Sequence, residues 1–195
     1  MSSIIAGFLI ALSGIINLSI GGVLGAIFFS LGLITIVTFK YNLFTGKAGL
    51  LATGEIKFKT LLGIWLGNFF GTFCCAMMVH LLPNADQIIS NAIAIVEVKM
   101  RYDTLTNTLL GFFCGILMYI AVTGYDKTKN YLFCIMPVAF FILNGFNHCV
   151  ADMFYVNCIP ITTWNHWMHL LSTTFGNLIG ANLLPILGLY YHREV

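Results

Sequence analysis

The stretch Asn144-Gly145-Phe146-Asn147-His148-Cys149-Val150-Ala151-Asp152-Met153 sets an imidazole, carboxamides and a carboxylate inside an otherwise apolar run. With an unperturbed pKa of about 6.5, His148 can lend or recover a proton near neutral pH. Asp152 follows it by four residues, one helical turn, so acid and imidazole could share a hydrogen bond that favours the imidazolium. A second role is open to Asp152, that of capping a following half-helix. A similar interruption, Lys40-Tyr41-Asn42-Leu43-Phe44-Thr45-Gly46, ends another apolar run. Two roles are open to Lys40 as well: snorkelling to an interface, or pairing with Asp152 or a passing anion.

Other chemistry finds little support. The six cysteines are scattered through apolar stretches without metal-type spacing, and His166, His169 and Cys158 are irregularly placed. No paired carboxylates and no nucleophile beside a base are evident, so neither an enzyme nor a cofactor site is expected. A net charge of +2 is too small to suggest a nucleic-acid partner.

The elements that must position these groups follow from composition. Hydrophobic residues make up 59% of the 195 and charged ones only 8%, with a mean hydropathy of +0.92. Such a chain cannot clothe a soluble surface, and the lipid bilayer must be its solvent. At about 20 apolar residues per crossing, roughly six spans fit. Met1 to Phe39 contains neither charge nor proline, yet one straight helix of that length would reach about 60 Å. It therefore divides into two spans at Asn17-Leu18-Ser19-Ile20-Gly21-Gly22. The spans are placed near 3–18, 22–45, 60–83 (closed by Pro83), 106–124, 131–156 and 168–191. The connection 84–105 could hold a short amphipathic helix. No basic region marks a cleavable signal at the start. Lys47, Lys57, Lys59, Lys127, Lys129 and Arg193 share one side, opposed by Lys99 and Arg101. The positive-inside rule makes that side cytoplasmic, with both termini there.

Gly67-Asn68-Phe69-Phe70-Gly71 recurs as Gly176-Asn177-Leu178-Ile179-Gly180. Small residues four apart permit close helix approach, and the asparagine can bond across the bundle. Each copy closes a group of three spans, about 3–83 and 106–191. Three is odd, so the second group runs in the opposite sense, an inverted repeat within one transmembrane domain. The two polar interruptions break spans two and five, and irregular backbone at membrane depth is tolerated where it lines protein or water.

At these residues the chain resembles the formate/nitrite transporter family. Phe29-Ser30-Leu31-Gly32-Leu33 with Asn42-Leu43-Phe44-Thr45-Gly46 is similar to that family's second span and loop. Met136-Pro137-Val138-Ala139 with Gly145 to Phe154 is similar to its fifth, and the two Gly-Asn motifs to its third and sixth. The resemblance covers nearly the whole chain, short of an N-terminal interfacial helix and some loop length. It implies an all-α, aquaporin-like six-helix protomer in a homopentamer, in a prokaryotic inner membrane, with one pore per protomer. Passage would be of a small monovalent anion or its conjugate weak acid, in part with a proton. His148 matches the central pore histidine and Thr45 the loop threonine facing it, with Asn42 and Leu43 beside it. Phe29 and Phe141 match an outer constriction, Leu33 and Phe44 an inner one. Asn68 and Asn177 match structural positions.

The departures are specific. Asn42 stands where the family has an acid, Asn147 for its glutamate, Asp152 for its asparagine, and Gly115 for an asparagine in span four. Asn130 stands for a basic residue that Lys129 adjoins, and Lys40 has no family counterpart. Loss of glutamate and lysine together reads as removal of an ion pair, because either partner alone would be costly. That loss opens an alternative, a channel for a small neutral solute such as urea.

Overall fold

The computed structural model describes residues 1–193, with side chains through Gly188. Among these residues the chain is helical throughout, in nine helices: α1 Ser2–Ile20, α2 Gly22–Thr38, α3 Phe44–Ala48, α4 Phe58–Val79, α5 Ala85–Lys99, α6 Thr104–Thr128, α7 Leu132–Leu143, α8 Cys149–Asn157 and α9 Trp164–Arg193. By length and composition α1, α4, α6 and α9 can each cross a membrane, and α2 and α7 are shorter apolar helices.

The long uncharged N-terminal run does split where expected. Gly21 sits at φ 69°, ψ 177°, a conformation essentially reserved for glycine. The α1 carbonyls freed there are partly met from outside: Leu18 O accepts from Asn91 Nδ2 of α5 at 2.8 Å. The expected amphipathic helix is α5, which buries Ile88, Ala92 and Val96 at four-residue spacing. Helix α4 ends at Val79, ahead of the stop expected at Pro83. Helix α6 starts on an Asp103 cap that accepts from Thr106 N at 2.8 Å.

Helix α1 packs on α4, α6 on α9, and α2 crosses to α7. The glycines of the repeated motif lie in the first two contacts. A methyl group added to Gly71 would land on Ile4 O, and one added to Gly180 on Phe112 O. Polarity is arranged inside out. Leu24, Leu31, Leu66, Phe70, Met136 and Phe140 face outward, whereas Asn68, Asn107, Asn147, His148, Asp152 and Asn177 are buried. Water as solvent would impose the opposite arrangement.

Candidate functional site: two helix breaks meeting at His148

Helix α2 stops at Thr38 and α3 starts at Phe44; α7 stops at Leu143 and α8 starts at Cys149. Each restart is clipped by the asparagine of one Gly-Asn motif. Asn68 Oδ1 accepts from Phe44 N at 2.8 Å, and its Nδ2 donates to Asn42 O at 3.0 Å and to Ser3 O at 2.7 Å. Asn177 Oδ1 accepts from Cys149 N at 2.9 Å, and its Nδ2 donates to Asn147 O at 2.8 Å and Gly111 O at 2.7 Å. In both cases the amide bridges the first helical N–H and the carbonyl two residues before it. A buried, irregular backbone needs such partners.

The two restarts touch through their side chains. His148 Nε2 lies 2.8 Å from Thr45 Oγ1, and both residues are buried. His148 also caps α8: its Nδ1 accepts from Ala151 N at 3.1 Å. The capped nitrogen carries no proton, so the neutral ring is protonated on Nε2 and donates to Thr45. A second proton could enter only at Nδ1, and would displace the Ala151 N–H. The ring stacks on Phe141 at 5.4 Å between centroids, and Phe141 meets the edge of Phe29 at 6.2 Å.

Asp152 takes neither role expected for it. The N-cap of α8 is His148, and the carboxylate turns away from that ring. Lys99 Nζ donates to its Oδ1 at 2.6 Å, and His169 Nε2 lies 3.0 Å from its Oδ2. Lys99 donates also to Asn147 Oδ1 at 2.8 Å, and Asn147 Nδ2 donates to Asn107 Oδ1 at 3.0 Å. The expected removal of an ion pair is therefore corrected. A buried carboxylate–ammonium pair is present, carried by Asp152 and Lys99, with Asn147 as its amide partner. Lys99 was read as a loop charge, His169 only as a remote metal possibility, and Asn107 not at all. The one hint toward Lys99 was its place at the end of an amphipathic segment.

The other lysines lie elsewhere. Lys129 is an exposed left-handed C-cap of α6, 3.6 Å from the exposed Asp126. Asn130 Oδ1 accepts from Leu132 N at 3.0 Å, a local bond at the start of α7. Lys40, left-handed at φ 57°, lines a cavity of about 260 Å³ with Leu33, Leu43, Lys47 and Asp126. It is not paired with Asp152, which lines a different cavity. A second cavity, of about 430 Å³ on the α5 face, is lined by Lys99, Phe141, His148, Asp152 and Tyr155. Phe29, Leu33, Leu43 and Phe141 are buried; Phe141 lines the α5-face cavity and Leu33 and Leu43 the Lys40 cavity. Phe44, expected at the inner constriction with Leu33, lines a third cavity with Leu61 and Trp65; Leu43, not Phe44, shares a cavity with Leu33. Asn42 contributes backbone, its N–H donating to Ser2 Oγ at 3.0 Å.

A mostly apolar cavity with a fixed imidazole donor and one buried ion pair can desolvate a small ion and offer it a few directed polar contacts. The neutral-solute alternative rested on the absence of charge beside His148, and the Lys99–Asp152 pair removes that ground.

Comparison with known proteins bears on the same point. The family model of formate/nitrite transporters matches residues 1–192. Formate channel FocA of Haemophilus influenzae is 28% identical over 173 residues, covering 81% of this chain and 59% of that protein. Formate channel FocA of Escherichia coli strain K12 is 25% identical over 218 residues, covering 92% and 76%. The chain thus spans about three fifths to three quarters of the length of these relatives. Among solved structures, a pentameric formate channel with formate bound superposes with a TM-score of 0.81 at 26% identity, over 100% of this chain and 95% of that one. An FNT family ion channel shares the fold, with a TM-score of 0.82 at 23% identity over 98% and 88%. None of these relatives supports a urea channel. By the match across its length and by its fold, the chain belongs to the formate/nitrite transporter family of membrane channels.

Proposed function

We propose that this chain forms a channel through which a small monovalent anion of the formate class crosses a membrane, together with a proton as the weak acid. The observation that carries this reading is His148, hydrogen-bonded to Thr45 and lining one cavity together with the Lys99–Asp152 pair. A bare anion pays a large desolvation penalty between Phe29, Leu33, Leu43 and Phe141, and the neutral acid pays little. Lys40 and Lys47 on one cavity attract the anion. His148, with Nδ1 committed to Ala151, serves as a fixed Nε2–H donor through Thr45 to whatever passes.

The architecture we infer is six spans in two inverted repeats, α1–α4 and α6–α9, with spans two and five broken at residues 39–43 and 144–148. The paired asparagine clips and the paired glycine contacts support it. A homopentamer in a prokaryotic plasma membrane, with both termini cytoplasmic, fits the lysine distribution and the pentameric neighbour.

The test uses the purified channel in liposomes, challenged with formate, nitrite, hydrosulfide and urea across a pH series. Formate uptake that rises as pH falls, and is lost in His148→Ala, is expected. Uptake of urea alone, indifferent to pH, would overturn the reading.

A further inference from the structure

The seam between α4 and α9 is filled along one half and open along the other. Away from the start of α4, Trp65, Phe69 and Trp167 stack in series, with 6.0 Å and 5.6 Å between ring centroids. Toward the start of α4 the seam holds the third cavity, of about 240 Å³. Phe44 and Leu61 form its buried floor, while Phe58 and Leu62 on one wall and Leu171 and Phe175 on the other are about half exposed. Helix α3, which carries Phe44, packs on both α4 and α9.

The walls leave nothing for a polar ligand. Their two polar side-chain atoms, Trp65 Nε1 and Thr174 Oγ1, are bonded to each other at 3.0 Å, and Thr174 donates onward to Leu170 O at 2.7 Å. A groove of this kind takes hydrocarbon. From Phe58 to Trp65 it follows seven residues of α4, about 10 Å. That is roughly two thirds of the hydrocarbon depth of one leaflet, about 15 Å.

Charge stands at the open end. Lys57 and Lys59 flank Phe58, and both are exposed. Among the described residues neither forms an ion pair. Glu55 is the acid nearest in sequence, and its Oε1 accepts from Thr53 Oγ1 at 2.8 Å. Lysine stems can lie along the apolar wall and carry their ammonium groups to the level of the headgroups.

We propose that this groove is a lipid site, holding an acyl chain of an anionic phospholipid whose phosphate is met by Lys57 and Lys59. Charge selects this occupant. A second copy of the chain would bring its own Lys57 and Lys59 to the same depth, like charge against like. An anionic headgroup brings the opposite charge, and its chain meets a wall without free polar groups. The bound chain braces Phe44, whose N–H is clipped by Asn68 and whose neighbour Thr45 faces His148. The site lies apart from the cavities assigned to the permeating ion and does not depend on which ion crosses.

Two measurements decide the matter. In the first, benzoylphenylalanine replaces Leu62 in the full chain, in nanodiscs of mixed phosphatidylglycerol and phosphatidylcholine of equal chain length. Illumination should give adducts with the mass of one lipid, favouring phosphatidylglycerol by about tenfold, the order expected of two lysines beside one phosphate. Lys57→Gln combined with Lys59→Gln should level that preference and keep the total adduct. Adducts joining two protomers, adducts without headgroup preference, or no lipid adduct would each overturn the proposal. The second measurement leaves the groove unaltered and reads the thermal midpoint of the native chain in detergent. Phosphatidylglycerol should raise it more than phosphatidylcholine does, and glycerol phosphate, which has the charge without the chains, should not raise it. Equal shifts with the two lipids, or a preference that survives Lys57→Gln with Lys59→Gln, would also overturn the proposal.

Discussion

The two helix restarts are built alike and equipped differently. At the α2–α3 junction, Asn68 holds Asn42 and Phe44; at the α7–α8 junction, Asn177 holds Asn147 and Cys149, bond for bond. Yet the first junction contributes Thr45 toward His148, and Tyr41, Leu43, Lys40 and Lys47 to a cavity, with no buried charge pair. The second gathers His148, Asn147 and Asp152, with Lys99 and His169 closing on the carboxylate. What is duplicated serves the backbone, which must satisfy its polar groups wherever a helix is broken in the membrane. What is not duplicated is the charge. We read the shared part as scaffold and the unshared part as the machinery for the permeating ion.

The largest expected effect comes from opening the charged cluster. Asp152→Asn leaves Lys99 buried without its counter-charge, a loss of about 3–5 kcal/mol. The thermal midpoint in detergent should drop sharply, and Lys99→Met added to it should recover most of the drop. If the double variant is no better than the single one, the ion pair is not what holds this side together.

Next come the clips themselves. Asn68→Leu and Asn177→Leu each leave a buried backbone N–H and carbonyls unpaired, at about 1–3 kcal/mol per unsatisfied group. The two variants should lose stability by similar amounts if the clips are equivalent. Oligomer survival in size-exclusion chromatography after heating measures this. A large loss in one and none in the other would break the equivalence drawn between the junctions.

A smaller effect is expected where the junctions touch. Thr45→Val keeps the shape but removes the acceptor for His148 Nε2–H, at about 1–3 kcal/mol for the unpaired donor. Formate flux in liposomes should fall severalfold while the oligomer stays intact. Unaltered flux would restrict Thr45 to a packing role.

The smallest lies outside both junctions, as a control. The Thr106 hydroxyl and N–H hold the Asp103 carboxylate below the ordinary aspartate range. A depressed native pKa contributes stability above the unfolded-state value, lost as pH falls through the native one. Asp103→Asn should therefore flatten the pH profile, giving up a slight stabilisation at neutral pH and matching the native protein at low pH. Melting curves from pH 7 down to pH 3 would register it.

How much of the site could be read in advance follows physical distance along the chain. The divided N-terminal run and the paired Gly-Asn motifs are local patterns, and helices stop and restart at the two polar stretches. The His148–Thr45 contact joins residues 103 apart, and only resemblance to a family brought it forward. Lys99 lies 53 residues from Asp152 on a helix that looked like loop filling, so its charge was counted toward orientation rather than toward the site. Leu43 lines the cavity beside Leu33 and Phe44 a different one, since adjacent residues at the start of the five-residue α3 point about 100° apart. Its register is set by Asn68 from another helix.

By itself the sequence determined that the chain lives in lipid, that two polar stretches interrupt its apolar runs, and that a histidine sits in one of them. Those conclusions rest on composition and on short-range pattern, which the solvent imposes directly. Only the tertiary structure decided which charges meet, since a buried carboxylate accepts whatever donors the packing of distant helices brings to it. Here α5 brings Lys99 and α9 brings His169, and His148 is left free to cap α8 and to face Thr45.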